Sequence, residues 1–82
     1  MIIKHTILDL LTNNQKTILK SYIANNFKTY AAQLDFTIPN CVANTIRRID
    51  KRLPDDFFIV DSRTTQRYRD IIGVNDKYKV QL

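Results

Sequence analysis

Apolar positions in the first half of the chain recur at helical spacing, whereas in the second half they cluster or alternate. Over residues 2–11, Ile3, Ile7, Leu10 and Leu11 share one helical face, although the adjacent Ile2 and Ile3 also fit the start of a strand. Thr12, Asn13, Asn14 and Gln15 follow as a capping box, in which the threonine hydroxyl and the glutamine side chain satisfy each other's free backbone amides. The helix that starts there carries an apolar stripe of Ile18, Leu19, Tyr22, Ile23 and Phe27, with Asn13, Lys16 and Lys20 off the stripe.

Thr29 is placed to cap a short helix over Tyr30 to Leu34, with Ala31 and Leu34 facing inward. Asp35, Phe36 and Thr37 make a tight corner. A further helix is expected to begin around Ile38 to Asn40, because Pro39 is tolerated in a first turn, where its missing donor would have been free anyway. It runs to Leu53 and stops at Pro54, which disfavours helix in the residue before it. Val42, Ile46, Ile49 and Leu53 step by four, three and four along it, so that face is core.

Beyond Pro54 the period changes from helical to strand-like. Asp55 and Asp56 read as a turn into Phe57, Phe58, Ile59 and Val60, a β-prone run. Lys77 to Leu82 alternates, with Tyr78, Val80 and Leu82 on the inward side, and is expected to pair with that run. Between them, Ser62 to Thr65 is turn-like, Gln66 to Ile71 fits a third strand or a short helix, and Asp70, Gly73 and Asn75 mark further turns.

A length of 82 residues restricts the chain to one domain, 1–82, divided into an N-terminal segment (1–11), a helical half (12–53) and a β half (57–82). No apolar run reaches the roughly 18 residues of a bilayer span, and Lys4, His5 and Asp9 interrupt the first stretch, so neither a membrane location nor a signal peptide is expected. One cysteine, Cys41, and one histidine, His5, allow no internal disulfide and no recognised zinc site. Catalysis finds little to use. Ser21 and Ser62 have no evident base, His5 lies near the terminus, and Cys41 reads as a small packing residue. No enzyme activity, cofactor or metal is expected.

A net charge of +5 favours a polyanionic partner. The arginines Arg47, Arg48, Arg52, Arg63, Arg67 and Arg69 all lie within residues 47–69, whereas the first forty residues carry only lysines. Guanidinium offers a planar fork that matches phosphate oxygens or a guanine edge, and ammonium does not. With the core direction of the third long segment set by Val42, Ile46, Ile49 and Leu53, its outward face holds Asn40, Asn44, Arg47, Arg48 and Lys51. Arginine can donate twice to guanine, and asparagine can pair with adenine, which makes these five a candidate base-reading set. The plain alternative is a solvated face that keeps a surface helix soluble.

Three helices, a tight corner between the second and third, and a β-hairpin with basic residues at its tip form a pattern that resembles the winged helix-turn-helix family. The resemblance spans roughly residues 12–82 and is carried by Ala31 and Leu34 before the corner, Thr37 after it, and Val42, Ile46, Ile49 and Leu53. Two departures stand out: Asp35 replaces the usual glycine of the turn, and the spacing from Thr37 to Val42 is one residue longer than usual. The resemblance implies an α+β fold with three or four helices and a C-terminal β-hairpin wing. It further implies sequence-specific binding of double-stranded DNA, in which Arg63, Arg67 and Arg69, with Thr64 and Thr65, contact the backbone. Arg52, Lys16, Lys20 and Thr29 are further backbone candidates.

Small size and an Ile-, Asn- and Lys-rich composition suit a phage or mobile-element transcriptional regulator, acting in the cytoplasm of a bacterium or an infected host cell. The rival reading is a protein-interaction module that docks the same basic helix on an acidic partner. The apolar segment 2–11 either closes the monomer core or pairs with a second copy to form a homodimer. RNA binding is disfavoured because no aromatic-rich sheet motif for stacking bases is present.

Overall fold

The computed structural model describes residues 2–34, 36, 41–61 and 71–80. Among these, four helices precede an antiparallel hairpin: α1 (His5–Leu8), α2 (Asn13–Ala24), α3 (Thr29–Gln33), α4 (Val42–Arg52), β1 (Phe58–Val60) and β2 (Ile71–Val74). A 3-10 turn at Asp76–Tyr78 follows. The architecture is thus a small α+β fold, and α2, α3 and α4 pack pairwise around its core.

α2 begins as its sequence dictates. The Gln15 amide donates to Thr12 Oγ1 at 3.2 Å, and the Thr12 amide donates to Gln15 Oε1 at 3.1 Å, completing the capping box. Ile18, Leu19 and Tyr22 are buried, and Ile23 and Phe27 pack against the same core. Phe27 does so from outside the helix. α2 ends at Ala24, and Asn26 and Phe27 take left-handed backbone angles, φ 56° and 62°. The Phe27 amide donates to the Tyr22 carbonyl at 2.9 Å, and its ring meets Tyr22 edge-on at 5.4 Å, contacts that hold a conformation unfavourable for a residue with a Cβ.

That turn shifts α3. Thr29 is its first helical residue and Lys28 takes the cap position, so Thr29 does not cap a helix from Tyr30. Ala32 is buried in place of Ala31, and Leu34, expected inward, is 84% exposed. In five residues the periodicity is too short to fix which face turns in. α4 also starts later than expected, at Val42 after an extended Cys41. Cys41 is exposed and is therefore not the packing residue its type suggested. Asp35, Thr37, Ile38, Pro39 and Asn40 lie outside the described residues.

The strands correct a larger expectation. β1 pairs with β2 through Phe58↔Val74, Ile59↔Gly73 and Val60↔Ile71, with a register irregularity between Ile59 and Val60. Gly73, read as a turn, lies inside this ladder. Residues 77–80 do not pair with β1, because Asn75 Oδ1 accepts from the Lys77 amide at 3.2 Å and turns the chain into the 3-10 conformation. Tyr78 is half-buried and Val80 exposed, and Leu82 lies outside the described residues.

The alternating C-terminal stretch finds a different neighbour. Ile3 bridges Lys79 in antiparallel fashion, with the Lys4 amide donating to the Tyr78 carbonyl at 3.0 Å and the Val80 amide to the Ile2 carbonyl at 2.8 Å. Residues 2–4 are accordingly extended, and the helix expected over 2–11 shrinks to His5–Leu8. Its side chains still serve the core. Ile3, Ile7 and Leu11 are buried, while Ile2 and Leu10 remain exposed. Asp56 fastens the same tail by accepting from the Tyr78 hydroxyl and pairing with Lys77 Nζ at 2.6 Å. The Lys77 and Tyr78 hydrogen bonds hold the Asp56 carboxyl below its ordinary range. No helix among the described residues is long and apolar enough to cross a membrane.

Candidate nucleic-acid interface

α4 is an 11-residue helix whose inner stripe, Val42, Ile46 and Ile49, is completed by Leu53 beyond its end, all buried. At about 100° per residue, the direction opposite that stripe is occupied by Asn44 and Lys51, flanked by Arg47 and Arg48. All four are exposed, as is Arg52 on the flank. Four of the five residues read from sequence as an outward set therefore share one surface, and the fifth, Asn40, lies outside the described residues.

The flank towards α2 has the opposite sign. Asp50, the one acidic residue of α4, is half-buried and close enough to the buried Tyr22 to influence its hydroxyl. Burial, and then the Asp50 carboxylate, push the Tyr22 hydroxyl up to about 12. The acid is thus turned towards α2, and the outward direction keeps only amide, guanidinium and ammonium groups. Lys51 and Arg52 also occupy the last turn, where the partial negative charge of the helix terminus favours cations.

Two contacts fix how this face is presented. The Val42 amide, which has no acceptor within its own helix, donates to Gln33 Oε1 of α3 at 2.8 Å, so α3 caps the start of α4. Thr45 Oγ1 donates to the Cys41 carbonyl at 3.2 Å in the first turn. The Gln33 contact was not legible in the sequence, because a glutamine nine residues before a helix start carries no local capping signal.

The remaining candidates are distributed differently. Lys16 is half-buried on α2 and Thr29 opens α3. Lys20 is exposed on the rim of a cleft between α1 and α2, to which no α4 residue contributes. Arg63, Thr64, Thr65, Arg67 and Arg69, which belong to the connection between β1 and β2, lie outside the described residues. Among the described residues no group of three or more His, Cys, Asp or Glu is placed to hold a metal ion. Compared with protein-family models, with curated proteins and with solved structures, the chain has no match.

Proposed function

We propose that this chain is a winged helix-turn-helix domain that binds double-stranded DNA sequence-specifically and serves as a small transcriptional regulator. The observation that carries the reading is the outward face of α4, where Asn44, Arg48 and Lys51 are exposed opposite a fully buried stripe. A helix of 11 residues is about 16 Å long, enough to lie in a major groove about 12 Å wide. Arg47 and Arg48 supply forks for guanine, Asn44 an amide for adenine, and Lys51 a further donor. The β1–β2 connection, with Arg63 and Arg67, acts as the wing on neighbouring phosphates, and Arg52 joins it from the end of α4.

The two contact classes respond differently to mutation. Replacing Arg48 and Lys51 together by alanine should erase the preference for a selected site over random DNA, whereas replacing Arg63 and Arg67 should weaken binding to all sequences alike. Fluorescence titration of both variants against a selected and a scrambled duplex checks this. Unchanged binding in both variants would remove the proposed face.

A second reading, a module that docks on an acidic protein, is favoured by one observation. Tyr30 within α3 and Leu34 just past its end, four residues apart, are 72% and 84% exposed, an apolar pair to which the proposed DNA contacts assign no role.

A further inference from the structure

The cleft between α1 and α2 has a volume of about 440 Å³, within the roughly 300–1,000 Å³ typical of small-molecule sites. Its floor reaches the core at Ile3 and Leu19, both buried, and its walls are the half-buried Leu8 and Ile23. Two polar groups stand on the rim, His5 from α1 and Lys20 from α2. None of the lining residues is acidic, and among the described residues no carboxylate pairs with the Lys20 ammonium.

This combination selects a ligand by chemistry. An apolar floor rewards a hydrocarbon body, which gains by leaving water. A cation at the rim rewards an anionic end, and the imidazole that lines the same cleft is a further hydrogen-bond donor for it. We propose that the cleft binds a small monocarboxylate with an apolar body, of the size of a medium-chain fatty acid. A second copy of the chain fits less well, since a two-fold axis through the cleft would set Lys20 against its own equivalent. A broad protein surface also fits less well, because the buried part of the lining, Ile3 and Leu19, lies at the bottom of a recess, with the exposed Ile2 and Ala24 at its edge. The inference is independent of what α4 binds.

The test is a titration of the isotope-labelled full chain with sodium octanoate, octanol and octylammonium, each below its aggregation concentration, followed through backbone amide shifts. Octanoate should produce saturable shifts at residues 2–8 and 19–24 and bind about fivefold more tightly than octanol, the margin expected of one exposed charge pair. Lys20→Glu, on an exposed side chain outside the core, should reverse the order and favour octylammonium. Absent or unsaturable shifts would overturn the proposal, as would equal binding of octanoate and octylammonium. It would equally be overturned if shifts at these residues moved with protein concentration alone, which would put a second copy in the cleft. A response to an amphipathic glutamate-bearing peptide with none to octanoate would assign the cleft to a protein partner and overturn it too.

Discussion

Replacing Thr12 by alanine removes the hydroxyl that accepts from the Gln15 amide, while the backbone amide at position 12 keeps its bond to Gln15 Oε1. The expected cost is about 1 kcal/mol, read as a lower midpoint in urea unfolding with an unchanged slope. This residue-scale feature was legible in advance because a capping box is local: donor and acceptor lie three residues apart. Tyr22 shows the opposite situation. Its burial was evident from the stripe, but its proximity to Asp50 of α4 is tertiary. With the folded hydroxyl raised to about 12 from an ordinary value of 10.0, the protonated form is favoured by folding. Its contribution is therefore complete below pH 10 and lost as pH rises from 10 towards 12. Ultraviolet titration should show one late-ionising tyrosine fewer in Tyr22→Phe than in wild type, since Tyr78, raised by its hydrogen bond to Asp56, is common to both. The stability of the wild type should fall over that interval more steeply than that of the variant.

At the scale of elements, what could be read in advance depended on length and on local partners. α4 repeats its apolar spacing over three turns, so its inner and outer faces follow from the spacing of Val42, Ile46, Ile49 and Leu53 alone. α3, with five residues, gave no such averaging, and the left-handed turn at Asn26 and Phe27 moved its register. The hairpin partner of β1 differs from the one expected because Lys77 to Leu82 alternates better than the strand that does pair with it. The Asx contact from Asn75 to the Lys77 amide diverts that stretch, and the partner of β1 lies upstream, with a glycine in it. Gly73 has no positive φ, and a Cβ built there would meet Ile59 Cδ1 at 3.7 Å, an ordinary contact. Gly73→Ala should therefore stabilise the protein by about 0.4–1 kcal/mol through a less flexible unfolded chain, seen as a raised thermal midpoint. A Gly73 that served as a left-handed turn would give the opposite sign.

For the molecule as a whole, the radius of gyration of 12.1 Å is close to the value of about 12 Å expected for one domain of this length. The N-terminal strand-like segment and the C-terminal tail close on each other through Ile3 and Lys79, so residues at both ends of the sequence contribute to one core. That closure was half visible in the Ile2–Ile3 pair and invisible in the choice of partner, which is set by tertiary packing. It leaves Ile2 and Leu10 as what segment 2–11 offers a second copy. Four cations lie on or beside the outward direction of α4, and three more arginines belong to the β1–β2 connection. A phosphate backbone would release about 0.9 counterion for each contact made, so binding through such groups declares itself in its response to salt.

The most direct measurement is a fluorescence anisotropy titration of the purified chain with double-stranded DNA at about 50 and about 200 mM salt, the interval over which phosphate contacts lose their advantage. For about four phosphates neutralised, the affinity should fall about a hundredfold between the two conditions. Binding that is absent at the lower salt, or that stays unchanged at the higher, would contradict a DNA-binding role for the α4 face.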